Sequence, residues 1–162
     1  MYKKPRNMTS LYLTSDSGIL CLYRVGSRVA NNKFIGSAGG HFEEGELNDP
    51  KLCVLREARE ELGLEEGDLE DLRLRYITLR LADGEIRQNY YYFARLKTEQ
   101  DLCSTEGNLQ WIPYHKVYQL DMPVSAKHMI LHYVREGRYT CDLYAGITEE
   151  NGTVFRTMQE FL

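Results

Sequence analysis

Long apolar runs are missing from this 162-residue chain. No stretch approaches the roughly 18 residues that a membrane-spanning helix needs, and the opening MYKKPRNMTS has no apolar core of the kind a secretory leader carries. The expectation is a soluble, cytoplasmic protein without a membrane partner. Cysteine is sparse: Cys21, Cys53, Cys103 and Cys141 stand apart, with no CxxC and no metal-ligand spacing. That argues against a disulfide scaffold and predicts free, mostly buried thiols. Repeats, low-complexity tracts and linker-like stretches are absent too, so residues 1–162 are expected to form a single domain. There is no basic tract, and with a net charge of −4 a nucleic-acid partner is not expected.

What is present is unevenly distributed. Residues Glu43 to Asp71 hold twelve of the 24 acidic residues and three of the 20 basic ones (Lys51, Arg56 and Arg59), so this segment carries −9 and the remainder +5. A dense acidic segment in an otherwise basic chain is a solvated face, an interaction patch or a cation site, and spacing decides between them.

Strand signals come first. Leu11–Thr14 and Ile19–Arg24 flank the turn Ser15–Gly18, and the consecutive apolar positions of the second predict burial on both faces. Leu72–Leu81 alternates, but its phase slips between Tyr76 and Ile77, as a bulge near Tyr76 or a change in cover would produce. Asp83–Gly84 reads as a hairpin turn into an aromatic-rich strand, Ile86–Leu96, and Leu109–Ile112 as a further short strand. Two helices stand out. Asp49–Pro50 and Gly63 bracket one, and Pro123 and Gly137 bracket the other. A hairpin around Glu150–Gly152 is expected at the C-terminus, over residues 138–160. Strands, a helix, more strands and another helix make a mixed α/β sandwich rather than a regular βαβ repeat.

On a wheel of the first helix, Leu52, Leu55, Ala58 and Leu62 gather on one side, with Val54 at the margin. Glu57, Glu60 and Glu61 gather opposite, at i, i+3, i+4, so that three carboxylates can converge. A solvated acidic face is the plain alternative. Against it, Glu60 and Glu61 lie in the last turn, where the helix dipole disfavours negative charge by about 0.3–1 kcal/mol each. Arg56 can pair with Glu60 but cannot neutralise the group. A divalent cation would, and hard oxygen donors select Mg²⁺ or Mn²⁺. Upstream lies Gly36-Ser-Ala-Gly-Gly-His-Phe-Glu-Glu-Gly-Glu46, whose paired glycines let the backbone approach a ligand or expose a carbonyl.

In that order, glycine loop, acidic loop, capped helix and three-glutamate face, Gly40–Leu64 resembles the Nudix box, G-x5-E-x7-R-E-U-x-E-E-x-G-U with U aliphatic. Gly40 and Glu46 match its opening, and Arg56-Glu-Ala-Arg-Glu-Glu-Leu-Gly-Leu64 its close. Nine residues rather than seven separate Glu46 from Arg56, and the two extra are placed near Leu47–Asn48. The resemblance extends over roughly residues 8–137.

The resemblance implies an α/β/α sandwich with a mixed sheet and a hydrolase that cleaves a nucleoside diphosphate derivative with Mg²⁺ or Mn²⁺. It assigns the metal to Glu57, Glu60, Glu61 and the Gly40 carbonyl, and gives Arg56 the task of orienting the carboxylates. A box glutamate or Glu106, on the loop before Trp111, is the candidate base. Phosphates call for cations, for which Arg24, Arg80 and Arg87 are candidates, and His41 in the glycine loop is a further contact. Two rings of Tyr90–Phe93 are placed to fill the core, and two to line a base pocket or join them. His128 and His132 share a helix face without a third ligand and read as packing or surface residues. The expected partner is a free nucleotide, such as an ordinary or oxidised nucleoside triphosphate. A homodimer is a family-based expectation. A nucleotide-binding or regulatory protein without turnover is the competing reading, although none of the three carboxylates is missing. A diphosphate isomerase of similar fold would need a cysteine before the box, and Asn31–Ala38 has none.

Overall fold

The computed structural model describes residues 3–26 and 31–161. Its strands are β1 (Arg6–Thr14), β2 (Gly18–Arg24), β3 (Lys33–Ile35), β4 (Ala38–His41), β5 (Leu69–Ala82), β6 (Glu85–Leu96), β7 (Gly107–Pro113), β8 (Tyr144–Glu149) and β9 (Gly152–Thr157). Two α-helices, α1 (Pro50–Leu62) and α2 (Val124–Arg135), lie between them. The strand order is β3-β2-β1-β6-β5-β8-β9, with β4 added to β1 and β7 to β2. The β1–β6 and β5–β8 pairs are parallel and the others antiparallel, so the sheet is mixed.

Strand β1 forks the sheet. Its first half pairs with β4, from Met8 opposite His41 to Leu11 opposite Ala38, and its end pairs with β2 through Leu13 and Thr14. Alternate side chains of a strand point to opposite faces, and two apolar clusters result. Tyr12, Tyr91 and Phe93 pack with Met129, Ile130 and Tyr133 of α2. Leu11, Leu13 and Tyr92 pack with Val54, Ala58 and Leu62 of α1. The expected helix–sheet–helix layering is therefore present.

Local signals account for most boundaries. Asp49 caps α1 by accepting from the Leu52 N–H at 3.0 Å, Pro50 occupies its first position, and Gly63 ends it in the left-handed region at φ 69°. Asp83 and Gly84 both have positive φ, as the tight β5–β6 turn requires. The pairing of β5 with β6 shifts between Leu74 and Tyr76, where a bulge or a change in cover was expected, and again between Glu70 and Arg73. The run Gly18–Leu22 is buried throughout, as its unbroken apolar pattern predicts.

Other expectations need correction. Strand β1 begins at Arg6 rather than Leu11, because parallel pairing to β6 recruits polar residues that carry no apolar signal. The glycine segment is partly a strand: β4 pairs with β1 despite its Gly-Gly. On α1, Leu52 is 50% exposed, and the core face centres on Val54, Ala58 and Leu62, a rotation that carries Glu61 toward the sheet. The thiols divide evenly, with Cys21 and Cys53 buried and Cys103 and Cys141 exposed. The C-terminal hairpin adds two strands beside β5 and packs on α2, where the His128 ring meets the Thr153 hydroxyl at 2.9 Å. The His132 ring meets the Tyr76 hydroxyl at 2.8 Å, so both histidines serve packing.

Candidate functional site

Helix α1 lies against β4, and the contact is closest at the two glycines. A Cβ built on Gly40 would overlap the Glu57 carboxylate, so only glycine lets this carboxylate lie on the strand. One position earlier, the Gly39 N–H donates to Glu61 at 3.1 Å. Glu57 and Glu61, one turn apart on α1, thus lie beside the exposed end of β4. Desolvation raises both carboxyls, and Glu61 is pushed up to about 7, with Glu57 and Glu106 adding repulsion.

Glu60 does not join them. It is 52% exposed on its side chain and pairs with Arg56 at 3.0 Å. The three carboxylates expected to converge are therefore two at the strand and one held off. Among the described residues, no group of three His, Cys, Asp or Glu side chains is arranged to hold a metal. The donors present are two carboxylates and the Gly40 carbonyl, all hard oxygens. Glu61 has no ion pair among the described residues, and burial raises its pKa and so makes it a weaker acid. This donor set fits Mg²⁺ or Mn²⁺.

Arg56 organises the acidic loop. Its Nε donates to Glu46 at 2.6 Å, and its Nη atoms donate to Glu57 at 2.9 Å, Glu60 at 3.0 Å and the His41 carbonyl at 3.1 Å. Glu46 is buried, also accepts the Glu43 N–H at 2.8 Å, and is held down at about 2, chiefly by its bond to Arg56. Leu47 and Asn48 form an exposed turn closed by the Asp49 N–H on the Glu46 carbonyl at 2.9 Å, so the longer spacing leaves Glu46 in reach of Arg56. Behind the strand, the buried Cys53 sulfur lies 3.2 Å from the Thr9 hydroxyl.

Beside this acidic site, on the face that carries α2, a cleft of about 190 Å³ opens over β1, β5 and β6. Arg24, Arg80 and Arg87 all line it, together with Arg6 and Asn89, and Gly39 stands at its edge. The first turn of α2 closes one side through Ser125, whose hydroxyl donates to Thr148 of the C-terminal hairpin at 3.0 Å. Arg24 pairs with Glu106 at 3.1 Å, which brings that loop glutamate to the same end as Glu61. His41 accepts from the Arg6 Nε at 2.6 Å, and desolvation followed by Arg6 lowers its pKa. Tyr91 and Phe93 join the cluster beneath α2, whereas Tyr90 and Tyr92 face α1, with Tyr90 against Phe42. Only Tyr91 of the four reaches the cleft, and it is buried in the floor.

The sequence reading missed Arg6, Gly39 and the pairing of Glu46 with Arg56. The alternation of Arg6, Met8, Ser10 and Tyr12 along β1 was the available signal for the first of these.

A family model, the NUDIX domain, matches residues 4–133. The chain belongs to the NUDIX domain family. As a member it is a Nudix pyrophosphohydrolase. The C-terminal hairpin lies beyond the matched residues. Among solved structures, a mutator MutT protein from Bacillus halodurans is 21% identical with a TM-score of 0.67, over 94% of this chain and 97% of that one. A NUDIX hydrolase from Nitrosomonas europaea is 14% identical with a TM-score of 0.70, over 91% and 81%. An Ap4A hydrolase from C. elegans is 17% identical with a TM-score of 0.63, over 80% and 96%. These likenesses show the fold. No curated protein matches the chain.

Proposed function

We propose that this Nudix protein hydrolyses the diphosphate linkage of a free nucleotide, such as an ordinary or oxidised nucleoside triphosphate, with Mg²⁺ or Mn²⁺. The observation that carries the reading is the adjacency of a carboxylate pair on a glycine strand to an arginine-lined cleft. A diphosphate bridging the two meets cations on one side and would meet repulsion on the other unless metal covers Glu57 and Glu61.

Glu57, Glu61 and the Gly40 carbonyl would hold the metal, and Glu60 would join them by giving up its ion pair with Arg56. When bound there, a divalent cation would reverse the local field and make water a better nucleophile. This chain's residues do the rest. Arg56 holds Glu46 and Glu57 in place through charge-assisted bonds. Arg24, Arg80 and Arg87 receive phosphate oxygens, with His41 at the same edge. Glu106 or Glu61 takes the proton of the attacking water. Packing of Glu57 on Gly40 supplies positioning before substrate arrives.

The test is release of phosphate or pyrophosphate from a nucleotide panel with Mg²⁺ or Mn²⁺, with wild type beside Glu61→Gln. The reading expects metal-dependent turnover that vanishes in the folded variant. Nucleotide binding by the wild type without turnover on any member would replace the hydrolase with a binding protein.

A further inference from the structure

The acidic helix has a basic counterpart larger than one diphosphate requires. Arg6 is the register partner of Arg87 in the parallel β1–β6 ladder, and Arg87 that of Arg80 across the β5–β6 hairpin. Partners on adjacent strands project from the same face about 5 Å apart, and like charges placed so are destabilising. The three arginines therefore form a row across three strands, roughly 10 Å from end to end. All of them line the cleft, with Arg24 beside them.

Neighbouring acids answer this charge only in part. Glu85 lies 2.9 Å from Arg87 and 3.8 Å from Arg6, and Asp83 lies 3.8 Å from Arg87. Arg24 has Glu106. Arg80 has no ion pair among the described residues, and the Arg24 Nε is buried without a hydrogen-bond partner. The uncharged lining, including Ser10, Asn89 and Tyr91, supplies no compensation. Nor does the cleft offer an open ring for a base: Tyr12 and Tyr91 are packed into the core.

Row and carboxylate pair are displaced from each other. The row starts at Arg6, beside His41 and one residue from Gly40, and runs away from β4 across β6 to Arg80. A diphosphate held between Glu57, Glu61 and Arg24 leaves the far end of the row unanswered. Guanidinium groups match phosphate oxygens in a bidentate fork, so phosphate is the anion this row suits best.

We infer that Arg6, Arg87 and Arg80 form a second phosphate subsite, and that the preferred substrate carries further phosphate beyond the diphosphate that is cleaved. The position of the cleaved diphosphate rests on the hydrolase reading above; the affinity of the row for phosphate does not. The extra phosphate is either the continuation of a linear chain or a separate phosphomonoester.

The experiment is calorimetric titration of the metal-free protein with inorganic triphosphate and with adenosine 3′,5′-bisphosphate, for wild type, Arg80→Gln and Arg80→Lys. At least one probe is expected to bind, with affinity reduced tenfold or more in Arg80→Gln and largely kept in Arg80→Lys. The probe that responds tells a linear chain from a separate ester. Equal binding by wild type and Arg80→Gln, or binding of neither probe by the wild type, overturns the subsite. Thermal melts guard against misfolding: removal of a like charge leaves Arg80→Gln at least as stable as wild type. Turnover assays of the same proteins separate the two readings. Arg80-dependent binding without turnover on any diphosphate retains the subsite and removes the hydrolase. Metal-dependent turnover with Arg80-independent binding does the reverse.

Discussion

Gly40 and Glu57 are in direct contact: the carboxylate of the helix occupies the space in which any other residue at position 40 would place its Cβ. The strand conformation there is one that any residue adopts, since Gly40 is not among the glycines of positive φ. The glycine is required by what lies against it rather than by the backbone.

Gly40→Ala therefore separates folding from catalysis. The methyl group displaces the Glu57 carboxylate by a fraction of its own size, and misplacement of about 1 Å in a reacting group costs on the order of 10²-fold. We expect turnover to fall about a hundredfold while the circular dichroism spectrum and thermal midpoint stay near wild type. A variant with full activity would show that Glu57 is not positioned by this contact.

Glu61→Gln should respond differently to metal. Glu61 is a half-buried carboxylate without an ion pair among the described residues, and a neutral isostere keeps the bond from the Gly39 N–H. Without metal, the variant is expected to melt at or above the wild-type temperature. Saturation with Mg²⁺ or Mn²⁺ stabilises the wild type by up to about 2.7 kcal/mol at a hundred times the dissociation constant. The variant should show little of that gain. Differential scanning calorimetry with and without metal measures both quantities, and an equal metal-induced shift in the two proteins would remove Glu61 from the ligand set.

Acid should act through Glu46. Its carboxyl is held at about 2 in the folded protein, below an ordinary value near 4.5. A depressed folded value stabilises the protein above the unfolded value, and that contribution is lost as pH falls from about 4.5 towards 2. Glu46→Gln should cost about 2 kcal/mol near neutrality, the scale of hydrogen bonds to a charged group. It should also flatten the decline in stability below pH 4.5. Urea denaturation at several pH values tests this, and parallel profiles for the two proteins would contradict it.

Arg75 of β5 ties down the segment between α2 and β8. It is buried, and its guanidinium donates to the carbonyls of Gly137, Thr140 and Asp142 at 2.6, 2.9 and 2.9 Å. Arg75→Met leaves three carbonyls without this donor and should destabilise by about 3 kcal/mol. Catalysis by the folded fraction should be nearly unchanged. A loss below 1 kcal/mol in denaturant midpoints would mean that water replaces the guanidinium without cost.

Much of the architecture was legible because it rests on local chemistry. The cap at Asp49, the proline start and the glycine stop delimit α1 from neighbouring residues alone, and Asp83–Gly84 sets its turn by backbone preference. The slipped alternation around Tyr76 likewise reports a bulge that pairing then displays. The acidic face was named from spacing, and the role of Arg56 and the candidate arginines from what the Nudix resemblance implies. Their arrangement was not readable in the same way. A wheel places Glu57, Glu60 and Glu61 on one side of a helix, yet a small difference in which face packs decides which of them meets β4.

The sequence by itself determined both helices, most of the strands, the chemistry of the helix face and family membership, because these depend on residues close together in the chain. Only the tertiary structure decided that Glu57 and Glu61 lie at the glycine strand while Glu60 stays with Arg56. It also decided that Arg6, Arg80 and Arg87 share one level of three strands. Pairing register and sheet order join residues more than seventy positions apart, and no local pattern encodes which arginine will face which.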